Sequence, residues 1–312
     1  MLPILPFRKD FFGRYLQLEF PSKLFQYPNN NRIFRYKSGS RFVMIKYLQH
    51  IPDLHRTLLL AGGLCIFWLM ETFFPLFSFT YHKWKHAGVN LFFTFTTIVV
   101  NFAFAVIIVG TSDWCVRHHF GILQWIQLPL VVRLLAGLLI LDFIGAWLIH
   151  FIEHKLSWMW KFHMIHHSDR HVDTTTANRH HPVESLFRAV FTWIAVMVTG
   201  VPVWIVIVYQ SLSVLLSQFN HANIKMPARL DALLRLILVT PNMHRSHHHV
   251  STPETNSNFG NIFPFWDKIF GTYRITEMDR IRYGLDILEG VNDENVLTQL
   301  KTPFNPNIKT GS

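Results

Sequence analysis

Three clusters of histidine carry the most chemistry in this 312-residue chain: His150-x-x-x-His154, His163-x-x-His166-His167 and His244-x-x-His247-His248. Of its 19 histidines, 13 fall between positions 150 and 249, so the clustering belongs to one region and not to the composition at large. On an α-helix, residues i, i+3 and i+4 share a face, and each cluster would therefore aim its imidazoles to one side. Neutral imidazole is the commonest metal ligand. Chance supplies a His-x-x-His-His pattern in roughly 0.07 places in a chain of this histidine content, and here it occurs twice. A tetrahedral zinc site is filled by about four ligands. The eight patterned histidines, with His181 and His221, exceed that and point to two metal ions. Two neighbouring metals with open positions suit activation of a small molecule such as dioxygen, and ligand type alone admits zinc, iron, copper or manganese.

Metal-bound imidazoles are oriented by groups that accept their second N–H. Glu153, Glu184 and Asp267 are candidates for that role. Asp142 is a fourth, as an acidic residue inside an apolar run and a possible partner of His150. His50, His55, His82, His86, His118 and His119 lack patterned partners and read as structural. His171, His180 and His249 read as neighbours of the site and not as ligands.

The elements that would position these residues are apolar and long. Half the residues are hydrophobic, 29 are Phe, 10 are Trp and only 15% are charged. Runs of about 20 apolar residues are long enough to cross a bilayer. They extend from Thr57 to about Phe79, from Gly88 to Gly110 and from Leu128 to Phe151, the last delivering His150. A fourth region, 186–219, is broken by Gly200 and Pro202 and reads as a membrane hairpin that brings His221 back to the level of His181. The expected organisation is a basic tail (1–56), a transmembrane hairpin and linker (57–127), a catalytic region (128–285) and a C-terminal tail (286–312).

The net charge is +10. Residues 1–56 hold ten Lys or Arg against Asp10, Glu19 and Asp53, a flank that reads as cytoplasmic and lying against anionic lipid. No nucleic-acid recognition motif accompanies this charge, so nucleic acid is not an expected partner. The opening residues, interrupted by Pro3, Pro6, Arg8, Lys9 and Asp10, do not read as a secretory signal. Cys65 and Cys115 imply no disulfide framework.

The three boxes and the text between them resemble the sterol desaturase and fatty acid hydroxylase superfamily of membrane histidine-box enzymes. The likeness extends through Trp160-Lys161-Phe162-His163, Thr174-Thr175-Thr176-Ala177-Asn178-Arg179, His181-Pro182-Val183-Glu184, Phe219-Asn220-His221-Ala222-Asn223, Asn258-Phe259-Gly260 and Trp266-Asp267-Lys268-Ile269-Phe270-Gly271-Thr272, over about residues 140–285. Phe151 stands where the family usually has Arg, and His249 lengthens the last box. The resemblance implies an all-α integral membrane protein, a transmembrane stem bearing a cytoplasmic histidine-rich helical cap. It implies two iron ions, dioxygen as co-substrate and hydroxylation or desaturation of a sterol or other lipid. Electrons would come from NAD(P)H through a partner such as cytochrome b5 or ferredoxin with its reductase. The host membrane would be a bacterial inner membrane or the endoplasmic reticulum. Implied ligands are His150, His154, His163, His166, His167, His244, His247 and His248, with His181 and His221 as additional ones. Two rival readings accompany it: a membrane zinc hydrolase with Glu153 or Glu184 as general base, and a non-catalytic metal-binding or transport protein.

Overall fold

A computed structural model describes residues 46–308. The expectations for residues 1–45 lie outside the described residues. Helix α1, Asp53–Phe73, follows Pro52 and stops before Pro75, as expected where proline lacks the N–H that a helix interior needs. Helix α2, Lys83–Arg117, has 35 residues, longer at both ends than its apolar core. At 1.5 Å per residue it reaches about 52 Å against a hydrocarbon core of about 30 Å, so part of it projects beyond the bilayer. Its first turns supply that projection: His86 and Asn90 are fully buried against Asp169, with His86 Nε2 2.9 Å from Asp169 Oδ1.

The third apolar run is one rod in three pieces: α3, Leu130–Asp142, a π-helical turn Phe143–Leu148, and α4, Ile149–Lys155. A π turn adds a residue to the helical ring and turns the face of all that follows. After it come α5, Ser157–His167, then α6, Pro182–Thr199, and α7, Val203–His221. The α6–α7 break falls at Gly200, which adopts φ 67°, a conformation costly to any residue with a Cβ. Phe120 O lies where that Cβ would stand, and Gln124 Nε2 donates to Gly200 O at 2.6 Å. The chain turns back here, and α7 carries His221 to the histidine clusters.

Leu141, Val196, Val201 and Ile205 fill the core between these helices, while Phe102 and Val106 on α2 are 79% and 78% exposed. A surface that leaves large apolar side chains outward belongs in lipid. Five helical segments, 53–73, 83–125, 130–155, 182–199 and 203–221, are long and apolar enough to cross a membrane. Among the described residues the only extended pairing is one isolated bridge, Pro75 to Ile224. The chain is an all-α integral membrane protein.

Each of the five spans delivers one end to a single polar region. The α1 end is held there by Glu71, whose Oε1 accepts from Thr174 N at 2.6 Å and Asn223 N at 2.8 Å. The Asp53 end of α1 therefore points away from that region. With all five segments crossing fully, that end of α1 would lie on the membrane face opposite the polar region.

Candidate metal centre

The π turn and α4 bring His150 and His154 to the inner face of the cap. Helix α5 contributes His163, His166 and His167, and α7 ends on His221. A short helix α8, Pro241–His247, supplies His244 and His247, with His248 just beyond it. Thr240 caps α8, accepting from Met243 N at 3.4 Å and donating to Asp231 at 2.6 Å, and Pro241 occupies the first turn.

These nine imidazoles form two adjoining groups. His150, His154, His163, His167 and His247 present ring nitrogens within 4.8 Å of one another, as do His166, His221, His244 and His248. The groups touch where the His167 and His248 rings stack at 4.7 Å.

For five of the nine rings a hydrogen bond fixes which nitrogen faces inward. His150 Nδ1 donates to Phe259 O at 2.9 Å, His154 Nδ1 to Asn256 Oδ1 at 3.3 Å, and His163 Nδ1 to Glu184 Oε1 at 2.8 Å. His221 Nδ1 donates to Ser217 O at 2.8 Å and His247 Nδ1 to Ser257 O at 2.6 Å. Each of these rings is left with a bare lone pair on Nε2. His150 Nε2 and His163 Nε2 then face each other at 3.0 Å, lone pair to lone pair, which is not a hydrogen bond. His154 Nε2 and His247 Nε2 are buried with no partner at all. Buried acceptors are rarely left unpaired, and a cation between them satisfies every one.

Spacing agrees with that fit. His221 Nε2 lies 3.1 Å from the Nε2 atoms of His166, His244 and His248. With metal–nitrogen bonds of about 2.1 Å, ligands at right angles are separated by about 3.0 Å and tetrahedral ones by about 3.4 Å. Five ligands in one group also exceed a tetrahedral shell.

Electrostatics favour the metal-binding form. Burial, then neighbouring imidazoles, hold His163, His166, His167, His244 and His248 well below their ordinary titration range. Burial brings His247 down to about 3. All are neutral and able to donate lone pairs near pH 7.

The expected orienting carboxylates divide in two. Glu184 holds His163 directly, and Glu153 Oε2 lies 3.7 Å from the same Nδ1. Arg188 clamps both, donating from Nη2 to Glu153 at 2.6 Å and from Nε to Glu184 at 3.0 Å. The other two act one step further out. Asp267 accepts from Phe259 N and Gly260 N, both at 2.9 Å, so it shapes the loop whose carbonyl orients His150. Asp142 touches no imidazole and instead accepts from Ile262 N at 3.3 Å and Trp266 Nε1 at 3.2 Å.

His181 is the one expected ligand that the fold does not bring to either group. Its Nδ1 lone pair accepts from Val183 N at 3.2 Å at the start of α6, and Nε2 donates to Leu300 O at 3.3 Å. Neither nitrogen is left for a metal. Its neighbour His180 lies closer, 5.1 Å from the His166 ring. His249 Nδ1 accepts from Arg282 N at 3.1 Å and ties down a distal loop. Sequence reasoning missed Arg188, although its i+4 spacing from Glu184 was a usable signal. It also missed the backbone carbonyls of Ser217, Ser257 and Phe259, for which no side-chain signal exists.

The sequence profile of the fatty acid hydroxylase family matches residues 134–272. The chain is 28% identical over 176 residues to the ornithine lipid hydroxylase OlsE of Rhizobium tropici, covering 56% of this chain and 51% of that protein. It is 29% identical over 145 residues to the alkylglycerol monooxygenase of Homo sapiens, covering 45% and 30%. A cholesterol 25-hydroxylase-like protein of Danio rerio is 29% identical over 147 residues, covering 46% and 57%. The chain thus spans about half the length of the first of these relatives. No solved structure matches it. These matches place the chain in the fatty acid hydroxylase and sterol desaturase superfamily.

Proposed function

We propose that the chain is a membrane oxygenase with two iron ions that uses dioxygen to hydroxylate a C–H bond of a sterol or other lipid. The observation that carries this reading is the pair of inward-facing imidazole groups, too large together for one metal and buried at the end of a helical stem. The lipid relatives support the substrate class: their names refer to an ornithine lipid, an alkylglycerol and cholesterol.

Iron bound in the two groups would supply the redox chemistry that dioxygen needs. His150, His154, His163, His167 and His247 would hold one ion, and His166, His221, His244 and His248 the other. The protein's own residues do the rest. Glu184 and Arg188 keep His163 in the tautomer that directs Nε2 inward. Phe259, fully buried, packs its ring 5.1 to 5.7 Å from those of His154, His150 and His247 and excludes water from that wall. Inserting one oxygen atom into C–H and reducing the other to water consumes two electrons and two protons. That balance requires a donor, proposed here as NAD(P)H through cytochrome b5 or ferredoxin and its reductase. Desaturation begins with the same hydrogen removal, and hydroxylation is favoured because the relatives named here are hydroxylases or a monooxygenase.

A soluble cytoplasmic donor puts the cap on the cytoplasmic face, with the Asp53 end of α1 across the membrane. A single cysteine at Ser251, labelled by an impermeant maleimide only from the cytoplasmic side, supports this arrangement. Labelling only from the other side reverses it. The zinc hydrolase reading needs Glu153 or Glu184 as base, and Arg188 holds both while Glu184 also holds His163. The transporter reading requires ligands spaced along the spans, and these gather at one end.

Metal analysis of gently purified protein tests the central claim. Two irons per chain, lost on His166→Ala and on His247→Ala, are expected. A single zinc that survives either substitution overturns the proposal.

A further inference from the structure

The cap contains a half-open cavity of about 630 Å³ that the metal centre itself does not use. Lys155, the last residue of α4, and Arg274 contribute two cations to its wall, with Tyr273 and Thr252 among the polar groups around them. The opposing charge is a single carboxylate, Glu254, 3.8 Å from Arg274 Nη1. The remaining wall is shared with the metal centre: Asn256 accepts the His154 Nδ1 hydrogen and Ser257 O that of His247. An occupant would thus be separated by one residue from two imidazoles of the five-histidine group.

The surroundings place this cavity at the lipid surface. Leu156 and Trp158 follow Lys155 in the chain and are 42% and 54% exposed, and Ile269 and Phe270, just before Gly271 in the wall, are 66% and 50% exposed. Exposed aromatic and aliphatic side chains beside Lys and Arg mark the level of lipid headgroups. The volume lies within the range of small-ligand sites, and a concavity of that size receives a headgroup and not the broad face of a protein.

We infer that this cavity binds the anionic group, phosphate or carboxylate, of a lipid headgroup between Lys155 and Arg274, positioning the lipid that the metal centre oxidises. The inference rests on the proposal that a lipid is the substrate. It adds that the substrate is an anionic or zwitterionic lipid rather than a sterol lacking charge.

The test titrates short-chain phosphatidate, short-chain phosphatidylcholine and inorganic phosphate into the full chain in neutral detergent, by calorimetry. The proteins compared are the parent, Lys155→Gln, Arg274→Gln and, as a control outside the cavity, Lys301→Gln. Saturable binding of phosphatidate at one site per chain is expected. It should weaken about tenfold in each cavity variant, as loss of a charge-assisted contact predicts, and remain unchanged in Lys301→Gln. Equal binding by all four proteins overturns the inference. Inorganic phosphate binding as tightly as phosphatidate makes the cavity a free-anion site and overturns the lipid assignment. Undiminished phosphatidate binding with slower reduction by an acidic electron carrier assigns the two cations to the redox partner and overturns it as well. Iron measured on the same samples separates the two claims. Binding without iron removes the oxygenase reading and leaves the cavity standing, and iron without binding does the reverse.

Discussion

At the residue scale, the centre depends on which nitrogen of each ring carries hydrogen, and Glu184 with Arg188 makes the most testable contribution. Glu184→Gln keeps an acceptor for His163 Nδ1 but removes the charge that Arg188 balances, while Arg188→Ala leaves two buried carboxylates side by side. Losing an orienting partner typically costs 10- to 100-fold in metal affinity. Arg188→Ala is expected at the upper end and Glu184→Gln at the lower, read as iron retained during chelator titration. His163, His166, His167, His244, His247 and His248 also set a pH dependence. In the unfolded chain their imidazoles titrate near 6.5, and in the folded protein lower, His247 at about 3. Between those values the unfolded state binds more protons. Stability of the metal-free protein is therefore complete above about pH 6.5 and falls as pH drops toward 3. Denaturant midpoints of chelator-treated protein at pH 7.5, 6.0 and 5.0 should decline in that order, and a flat profile contradicts neutral buried rings.

At the scale of elements, the π turn Phe143–Leu148 decides whether α4 presents its histidines to the centre. Deleting one residue from it, Ile144 for example, lets the rod rewind as plain α-helix with the face of α4 kept, whereas one alanine inserted after Leu148 rotates everything beyond by about 100°. With the insertion His150 and His154 would leave the five-histidine group, whereas His166, His221, His244 and His248 lie on other helices. The insertion is expected to lower iron from two to one per chain, and full loading in the variant would show that the winding does not set the face. The α6–α7 hairpin is the second such element. Gly200→Val places a branched side chain at positive φ against Phe120 O, a strain of at least about 1–3 kcal/mol. A lower melting temperature and loss of the His221 group are the expected results.

At the scale of the whole molecule, metal and fold are coupled through the cap. The nine clustered imidazoles come from α4, α5, α7 and α8 with the residue just beyond it, which the chain separates by as many as 98 positions, from 150 to 248. A ligand that binds only the folded state stabilises it by mass action. Chelation should accordingly lower the melting temperature and open the cap to proteolysis while the apolar stem, packed around Leu141, Val196 and Ile205, keeps its helicity. Circular dichroism and limited proteolysis with and without chelator check this, and a simultaneous collapse of stem and cap would refute the separation.

Much of this protein is legible in the sequence because its signals are local. Apolar runs of bilayer length mark spans through the cost of burying bare peptide groups in hydrocarbon. The Gly200 and Pro202 break marks the turn between α6 and α7, and same-face spacing of histidines marks the imidazoles that cluster. What local spacing could not determine is how faces turn when a helix departs from 3.6 residues per turn, or where a lone side chain goes. His181 sits in family-like text yet spends its lone pair on the first turn of α6. Asp142 and Asp267 are buried acids as expected, but they hold backbone amides two layers from the metal instead of imidazoles. The carbonyls of Ser217, Ser257 and Phe259 carry no side-chain identity at all. The sequence by itself determined the membrane stem and the supply of imidazoles, because both follow from residue type and spacing. Only the tertiary structure decided the five-and-four division of the imidazoles, the hydrogen bonds that turn five of them inward and the basic cavity behind them, since each arises where distant segments meet.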